Sequence, residues 1–356
     1  MNDSITDLSI EKLEKLVVSL GEPAYRSKQL LTWVYQKLAT SYDEMTDLPI
    51  AFRQKMAERI KLHNLTPLKE IKSSDDTVKI LFQLSDGRTI ESALMLYAAG
   101  EGRPRTTVCL STQAGCAIGC PFCATGQQGF ERNLTPGEMI DQALYFARQM
   151  KDGKWGRGET QSRISNIVFM GMGEPLANYE AFWQAVEMLN SPRAFGLGAR
   201  NITISTSGLV PQIKRLSQEK LQIGLAISLH ASDNALRNKL VPINKKYSVE
   251  ELILACREYG EKTGRRISFE YVLFKGINDS FAQAHSLAEK LSGLNCHVNL
   301  IPANLTAEGK YQPPSYQVIL AFEEELRRLG INCTLRQSRG QDIDAGCGQL
   351  RSRFCK

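Results

Sequence analysis

Three cysteines, Cys116, Cys120 and Cys123, occupy the first, fifth and eighth positions of one short loop. The loop follows an apolar, strand-like run over 107–110. Thiolates at such spacing can converge on a single inorganic centre, as they do in iron–sulfur proteins. Because three thiolates hold only three corners of a four-iron cube, one iron would keep an open position. The spacing therefore predicts a [4Fe-4S] cluster with one iron available to a further ligand.

Zinc, a disulfide or ordinary buried cysteine are the alternatives for this loop. A structural zinc site needs a fourth Cys or His at matching spacing, and all four histidines are distant in sequence. Nine cysteines, an odd number, in a chain without a secretory signal do not suggest a disulfide framework. The order CxxxCxxC is instead the signature of radical S-adenosylmethionine (SAM) enzymes, in which the open iron chelates the amino and carboxylate groups of SAM.

Two further cysteines could take part in chemistry. Cys109 lies seven residues before Cys116, in a strand that we expect to point into the fold. Cys347 lies between Gly346 and Gly348, so its backbone is sterically open, unlike that of a packed core cysteine. Its acidic neighbours would keep the thiol protonated unless another group activates it.

Polar stretches follow three of the predicted strands. The strand over 166–170 leads into GMGEP, where glycines let a ligand approach the backbone and Glu174 can accept from an ammonium group. The strands over 201–205 and 224–228 end at STSG and at Ser228-Leu229-His230. A lone histidine is usually structural, but the carboxyl ends of parallel strands are where ligands bind. Together these strand ends predict a binding site.

Basic residues follow the same strand ends. Arg237 and the segment KLVPINKK over 239–246 would lie on the rim of the site, where they could contact a phosphate backbone. An ordinary solvated surface is the alternative. The whole chain is only modestly basic, with 44 Lys and Arg against 38 Asp and Glu. No apolar run approaches the roughly 20 residues of a membrane span, so we expect a cytoplasmic protein.

The remaining pattern predicts the elements that must position these residues. Helical periodicity covers 8–62, and a period of two over 68–97 with the turn Asp86-Gly87 predicts a β-hairpin. Beyond the cysteine loop, strands over 166–170, 201–205, 224–228, 266–272, 297–301 and 332–336 alternate with helices near 178–190, 209–218, 248–262, 281–291 and 315–329. This alternation predicts a parallel α/β architecture, either a barrel or a doubly wound sheet.

The chain resembles the radical-SAM RNA adenine-C2 methyltransferases (the RlmN family) from Tyr25 onwards. The resemblance rests on the cysteine loop running on as CATGQQGF, and on GMGEP, STSG, AISLH, VPINKKY and DIDAGCGQL. It implies a partial (βα)6 radical-SAM barrel over 106–356 with a C-terminal cysteine loop, an N-terminal helical RNA-binding domain over 1–65, and a connecting β-hairpin and linker over 66–105. The residues that it implies for SAM binding are Gly173, Glu174, Ser205, Ser228, Leu229, His230 and Asn304.

The resemblance also implies a reaction on an adenine of 23S rRNA, before full ribosome assembly, and on the adenine next to the anticodon in tRNAs. Two SAM molecules would serve each turnover. One methylates Cys347, and the other is split at the cluster by an electron from an external donor, giving a radical that activates the S-methyl group. After addition to C2, Glu91 would accept the proton and Cys109 would resolve the adduct, leaving a disulfide. The alternatives are C8 methylation, as in the related Cfr enzymes, and a noncatalytic iron–sulfur RNA-binding protein.

Overall fold

Ten strands form one mixed sheet in the part of the chain that the structure describes. The structure is a computed structural model and describes residues 4–97, 104–155, 163–304, 311–336, 339–343 and 349–354. The strands are β1 (Thr66–Lys72), β2 (Thr77–Gln83), β3 (Thr89–Tyr97), β4 (Arg105–Cys109), β5 (Gln113–Gly115), β6 (Phe130–Asn133), β7 (Asn166–Phe169), β8 (Ile202–Thr206), β9 (Gly224–Ser228), β10 (Ile267–Leu273), β11 (Cys296–Pro302) and β12 (Cys333–Leu335). The helices are α1 (Ile10–Ser19), α2 (Arg26–Leu31), α3 (Ile50–Arg59), α4 (Ala124–Gln127), α5 (Pro136–Lys151), α6 (Tyr179–Asn190), α7 (Val210–Leu216), α8 (Asn234–Leu240), α9 (Val249–Thr263), α10 (Phe281–Leu291), α11 (Tyr316–Arg328) and α12 (Gln349–Phe354).

Strands β4 and β7 to β12 are parallel, and helices connect each of them to the next. This arrangement confirms the predicted α/β fold, a partial (βα)6 barrel, and β12 adds a further parallel strand after the sixth unit. Burial alternates along β8, where Ile202 and Ile204 are buried while Thr203 and Ser205 are half-buried. Parallel strands with helices on one face and packing on the other read as continuous apolar runs. The alternation here indicates that the inner face of the barrel is polar.

Strands β1, β2 and β3 form an antiparallel meander that continues the barrel sheet. The turn between β2 and β3 is the predicted Asp86-Gly87, and Gly87 takes a φ of 84°, which glycine adopts without steric cost. The predicted hairpin is therefore present, with β1 as a third strand. Because β3 pairs antiparallel with β4, Ala93 lies opposite Cys109. Residues of the meander thus share a face with the barrel lining.

The N-terminal helices pack against the barrel through Asp7. The side chain of Asp7 accepts from the backbone N–H of Gly137, at 2.8 Å, in the first turn of α5. That helix begins at a capping box formed by Thr135 and Glu138, with proline at its first position. One apolar core contains residues from the N-terminal helices, the meander and the barrel. The division into 1–65, 66–105 and 106–356 stays a prediction.

Among the described helices, none has the length and the apolar composition that crossing a bilayer requires.

Candidate active site

The cysteine loop is held between the two strands of the small β5–β6 sheet. Its first residue, Cys116, donates its backbone N–H to Gly129 O at 2.8 Å, and Cys123 donates to Cys120 O at 3.1 Å. Gly126 lies so close to this turn that a Cβ would be 2.8 Å from Cys120 O. Phe122 fixes the loop from the other side, with its ring 5.1 Å from those of Phe274 and His230. The predicted thiols are therefore on a rigid loop.

All three thiols are half-buried and line one cavity of about 380 Å³. Burial raises the pKa of Cys116 to about 12, with the charges of Glu174 and Cys123 adding to the rise. Burial also raises the pKa of Cys120, and there the charges of the other two thiolates add to it. Cys116 and Cys120 are therefore buried acids whose ionisation is disfavoured. The positive charge of an iron–sulfur core would favour their thiolate forms, so the residues fit the predicted group.

A single metal ion fits this loop less well. Within the described ranges, no three His, Cys, Asp or Glu side chains converge closely enough to hold one metal ion. A four-iron cube differs, since each thiolate binds its own iron and the sulfurs stay further apart. The arrangement of the three thiols is compatible with a cluster.

The same cavity is lined by the ends of strands β7 to β11, as parallel α/β folds lead one to expect. Every residue predicted for SAM binding lines it except Leu229; those that do are Gly173, Glu174, Ser205, Ser228, His230 and Asn304. Leu229 is buried, and its backbone N–H donates to Glu270 O at 3.1 Å. The cavity thus brings the strand ends and the cysteine loop to one place.

Glu174 is held by its own neighbours. One carboxylate oxygen accepts from the N–H and the hydroxyl of Ser207, at 2.7 and 2.8 Å, and the other accepts from the N–H of Leu176 at 3.1 Å. Burial raises the pKa of this carboxyl, and the hydrogen bonds from Ser207 oppose the rise. The side chain therefore ties the end of β7 to the end of β8, besides lining the cavity.

His230 has one defined tautomer. Its Nδ1 accepts from the backbone N–H of Val272 at 3.1 Å, so the proton of the neutral ring is on Nε2. Burial, with the nearby charge of Arg237, lowers the pKa of the ring to about 3. The residue also takes a left-handed φ of 58°, which is uncommon for histidine. His230 is thus a neutral hydrogen-bond donor at the cavity wall.

Arg237 does not lie on the rim, so the prediction that it contacts phosphates is wrong. It is fully buried, and its guanidinium donates to Leu229 O at 3.0 Å and to Ser207 O and Ser228 O at 2.6 and 3.1 Å. A fourth bond reaches Asn244 Oδ1 at 3.0 Å. The predicted lysines of the segment, Lys239, Lys245 and Lys246, are exposed, and we call them the basic rim. Arg237 instead joins the strand ends that line the cavity.

Cys109, Glu91 and Lys79 lie on one face of the sheet. In the strand register, Ala93 lies opposite Cys109 and Leu81 lies opposite Glu91. Because alternate residues of a strand point to the same face, Lys79, Glu91 and Cys109 share the inner face. Glu91 is buried and forms an ion pair of 2.6 Å with Lys79, which is equally buried. Burial raises the pKa of the Cys109 thiol to about 11, and the N–H of Met170 and the charge of Lys79 oppose the rise. Neither Cys109 nor Glu91 lines the 380 Å³ cavity.

The segments on either side of Cys347 contact the meander. Cys347 itself lies outside the described residues. Before it, Asp342 accepts from the hydroxyl of Ser73 and, at 3.0 Å, from the N–H of Ser74. After it, Arg351 donates its backbone N–H to Glu91 and its guanidinium to Gln128 at 3.0 Å. The carboxylate of Glu91 therefore contacts both Lys79 and the C-terminal helix.

Sequence reasoning missed Lys79, Glu270 and Arg336. Glu270 and Arg336 line the cavity, and Lys79 pairs with Glu91. A signal for Glu270 was present, because it is a lone acid in the otherwise uncharged strand ISFEYVL. Lys79 likewise interrupts the buried run TVKILFQ.

Two family descriptions match this chain. Residues 4–62 match the ribosomal RNA large subunit methyltransferase N-terminal domain. Residues 110–288 match the radical SAM superfamily. The second match contains the cysteine loop and the strand ends that form the cavity.

Similar proteins extend over nearly the whole chain. A relative in Nitrosopumilus maritimus (strain SCM1), "Ribosomal RNA large subunit methyltransferase N", is 47% identical over 346 residues, which cover 96% of each chain. In Staphylococcus aureus (strain JH9), a "Probable dual-specificity RNA methyltransferase RlmN" is 43% identical over 350 residues, 98% of this chain and 93% of the relative. The crystal structure of a radical SAM methyltransferase from Sphaerobacter thermophilus has a TM-score of 0.92 at 49% identity and covers 98% of each chain.

Proposed function

The chain belongs to the RlmN family of radical SAM RNA methyltransferases, and on that premise we propose that it methylates C2 of an adenine in 23S rRNA. The name of the Staphylococcus aureus relative includes dual specificity, and we extend the proposal to the adenine next to the anticodon in tRNAs. The observation that carries the proposal is the cysteine loop on the wall of a cavity lined by the strand ends.

The family implies a [4Fe-4S] cluster and SAM as cofactors. Cys116, Cys120 and Cys123 would hold the cluster, and the SAM residues would be Gly173, Glu174, Ser205, Ser228, Leu229, His230 and Asn304. When bound, the cluster would supply an electron that splits SAM, and the 5′-deoxyadenosyl radical would remove one hydrogen atom from a methyl group. An external donor would supply the electron. The glycine at 173, whose φ is 101°, leaves no room for a side chain beside Gln113.

Two SAM molecules would serve each turnover, because one donates the methyl group and the other is the source of the radical. C2 of adenine lies between two ring nitrogens and is electron-poor, so it does not attack the electrophilic methyl of SAM. The thiolate of Cys347 would take that methyl first. The methylene radical formed on Cys347 would then add to C2, which links protein and RNA covalently.

Release needs a base and a second thiol. Glu91 would accept the C2 proton, and the one electron that leaves the ring would return to the cluster, which was oxidised when it supplied an electron to SAM. The thiolate of Cys109 would attack the sulfur of Cys347, and the carbon released from sulfur would take up a proton to become the methyl group. The two sulfurs become a disulfide, and an external thiol must reduce it before the next turnover. The ion pair with Lys79 fixes the position of the Glu91 carboxylate.

The RNA must present an unstacked adenine. A base inside a helix cannot reach a cavity in the protein, so we expect a loop or single-stranded target, accessible before the ribosome is fully assembled. The basic rim follows the strand ends and would contact the phosphates that flank the base.

The test is the fate of the RNA in two cysteine variants. Cys347→Ala removes the methyl carrier, so neither product nor a protein–RNA adduct can form. Cys109→Ala keeps the carrier, so a covalent adduct should accumulate and appear on a denaturing gel with labelled RNA. Mass spectrometry of nucleosides from the wild-type reaction should show 2-methyladenosine. The appearance of 8-methyladenosine, or normal turnover by Cys109→Ala, would contradict the proposal.

A further inference from the structure

Glu270 has a carboxylate oxygen without a hydrogen bond inside the cavity. The residue lies in the middle of β10 and is 6% exposed. Its Oε1 accepts from Asn299 Nδ2 at 2.7 Å. Its Oε2 has no hydrogen-bond partner among the residues that the structure describes, and Arg336 Nη1 is 3.6 Å away, beyond hydrogen-bond distance.

Within the fold, the Glu270 carboxylate is only partly satisfied, by one hydrogen bond from Asn299 and a long ion pair with Arg336. Burying a charged group without full hydrogen bonding costs free energy. Val272, on the same face of β10 two residues further on, also lines the cavity, so an apolar side chain is tolerated there. Burial raises the pKa of Glu270, and the charge of Arg336 opposes the rise. A ligand that donates a hydrogen bond to Oε2 would offset the free-energy cost of burying the carboxylate.

Arg336 completes an acceptor–donor pair with Glu270. It follows β12, and its backbone N–H donates to Leu300 O at 2.8 Å, which fixes where the side chain begins. The side chain is 43% exposed, so its N–H groups are accessible from the cavity. Its positive charge is also close enough to Cys109 to favour the thiolate of that residue. The pair therefore presents a hydrogen-bond acceptor and a hydrogen-bond donor to the cavity.

The Hoogsteen edge of adenine matches this pair. Adenine presents a hydrogen-bond donor, the N6 amino group, beside an acceptor, N7. Guanine presents two acceptors at the same positions, and its O6 would meet the carboxylate unfavourably. C2 lies on the opposite side of the ring, so binding this edge leaves C2 accessible.

We propose that Glu270 and Arg336 bind the N6 and N7 edge of an adenine, with Glu270 accepting from N6 and Arg336 donating to N7. The adenine comes from the target RNA or from SAM, since both contain the same edge. This inference rests on the proposed function only in taking an adenine-containing RNA as the ligand.

The first arm of the test measures RNA binding by the cluster-loaded protein without reductant, so that no turnover occurs. Three hairpin RNAs carry adenosine, purine riboside or 7-deazaadenosine at the target position. Wild type should prefer adenosine to each analogue by about tenfold, the lower range of one base contact. Glu270→Met should lose the preference over purine riboside, and Arg336→Met the preference over 7-deazaadenosine. Ser268→Ala, on the same face of β10 but outside the cavity, is the matched control and should behave as wild type.

The second arm measures SAM affinity by equilibrium dialysis with the same variants. If the pair binds the adenine of SAM, each variant should weaken SAM binding by about tenfold while the preference among RNAs stays that of wild type. If Glu270→Met fails to fold, Arg336→Met still tests the proposal. Arg336 is partly exposed, so its substitution should leave the fold intact. The proposal is overturned if both variants keep wild-type SAM affinity and wild-type RNA preferences. Failure of the proposed function looks different, since wild type itself would then yield no 2-methyladenosine.

Discussion

Replacing Arg237 by methionine tests whether one buried cation positions the strand ends of the cavity. The side chain is fully buried and makes four hydrogen bonds, three of them to the carbonyl oxygens of Ser207, Ser228 and Leu229. Each bond contributes about 1 kcal/mol to stability. The desolvation cost of the buried charge disappears with the charge and offsets part of the loss. We expect Arg237→Met to lower the free energy of unfolding by about 3 kcal/mol.

The substitution should also weaken SAM binding, because Ser228 and Leu229 lose the group that holds their backbone. A loss of about 1.4 kcal/mol corresponds to a tenfold higher Kd. Denaturant unfolding followed by circular dichroism measures the first effect, and equilibrium dialysis with SAM measures the second. The stability and SAM affinity of Arg237→Lys should lie between those of wild type and Arg237→Met. One ammonium group cannot reach three carbonyls as the fixed geometry of a guanidinium does.

Lys239→Met is the matched control, because Lys239 is on the same helix but exposed. It removes the same charge without removing a buried hydrogen bond, so its unfolding midpoint should equal that of wild type. If Arg237→Met unfolds at the same denaturant concentration as Lys239→Met and binds SAM equally well, Arg237 does not position these strand ends.

Three further outcomes follow from the structure. Lys79→Met leaves Glu91 buried without its cation and should cost about 3 kcal/mol in unfolding free energy; the double variant with Glu91→Gln should recover most of this, and a single variant as stable as wild type would contradict it. Neutralising one lysine of the basic rim should reduce the log–log salt slope of RNA binding by about one, whereas unchanged slopes in all three variants would mark an ordinary solvated surface. His230 is buried with a depressed pKa of about 3, so its contribution to stability is present above the unfolded pKa of about 6.5 and is lost as pH falls towards 3. The free energy of unfolding of His230→Gln should therefore fall less steeply than that of wild type as pH is lowered across that window. Identical acid-unfolding curves for the two proteins would refute this.

The parallel half of the fold follows from local pattern. The predicted strands and helices beyond the cysteine loop match the observed bounds to within a few residues, because alternating apolar runs and helical periodicity are properties of neighbouring residues. The cluster loop could be predicted for the same reason, since its three thiols lie within eight residues.

The misassigned residues depend on contacts between distant segments. Arg237 looked like part of a basic run, but α8 turns it inwards against carbonyls at the ends of β8 and β9. The pairing of Lys79 with Glu91 requires the register of β2 against β3, which periodicity does not define. Glu270 could have been identified as a lone acid in an uncharged strand, yet its neighbours in space come from β11 and from Arg336 after β12.

The order of the strands in the large sheet has a consequence for how the chain assembles during synthesis. Neighbours in space are also neighbours in sequence along this sheet, apart from the small β5–β6 pair. The meander of β1 to β3 is synthesised before the other strands of the sheet, and its strand pairings are local, so they form quickly. Each later strand can then pair with the strand made just before it, so the sheet grows at one edge.

The opposite edge must not accept a strand from another chain while this growth proceeds. Its strand, β1, carries Pro67, an irregular register between Pro67 and Lys69, and the charged residues Glu70 and Lys72. Proline, bulges and lysine are the features by which natural sheets discourage edge-to-edge aggregation. The meander therefore acts as both the starting template and the protected end of the sheet, and removing it would expose β4 as a bare edge.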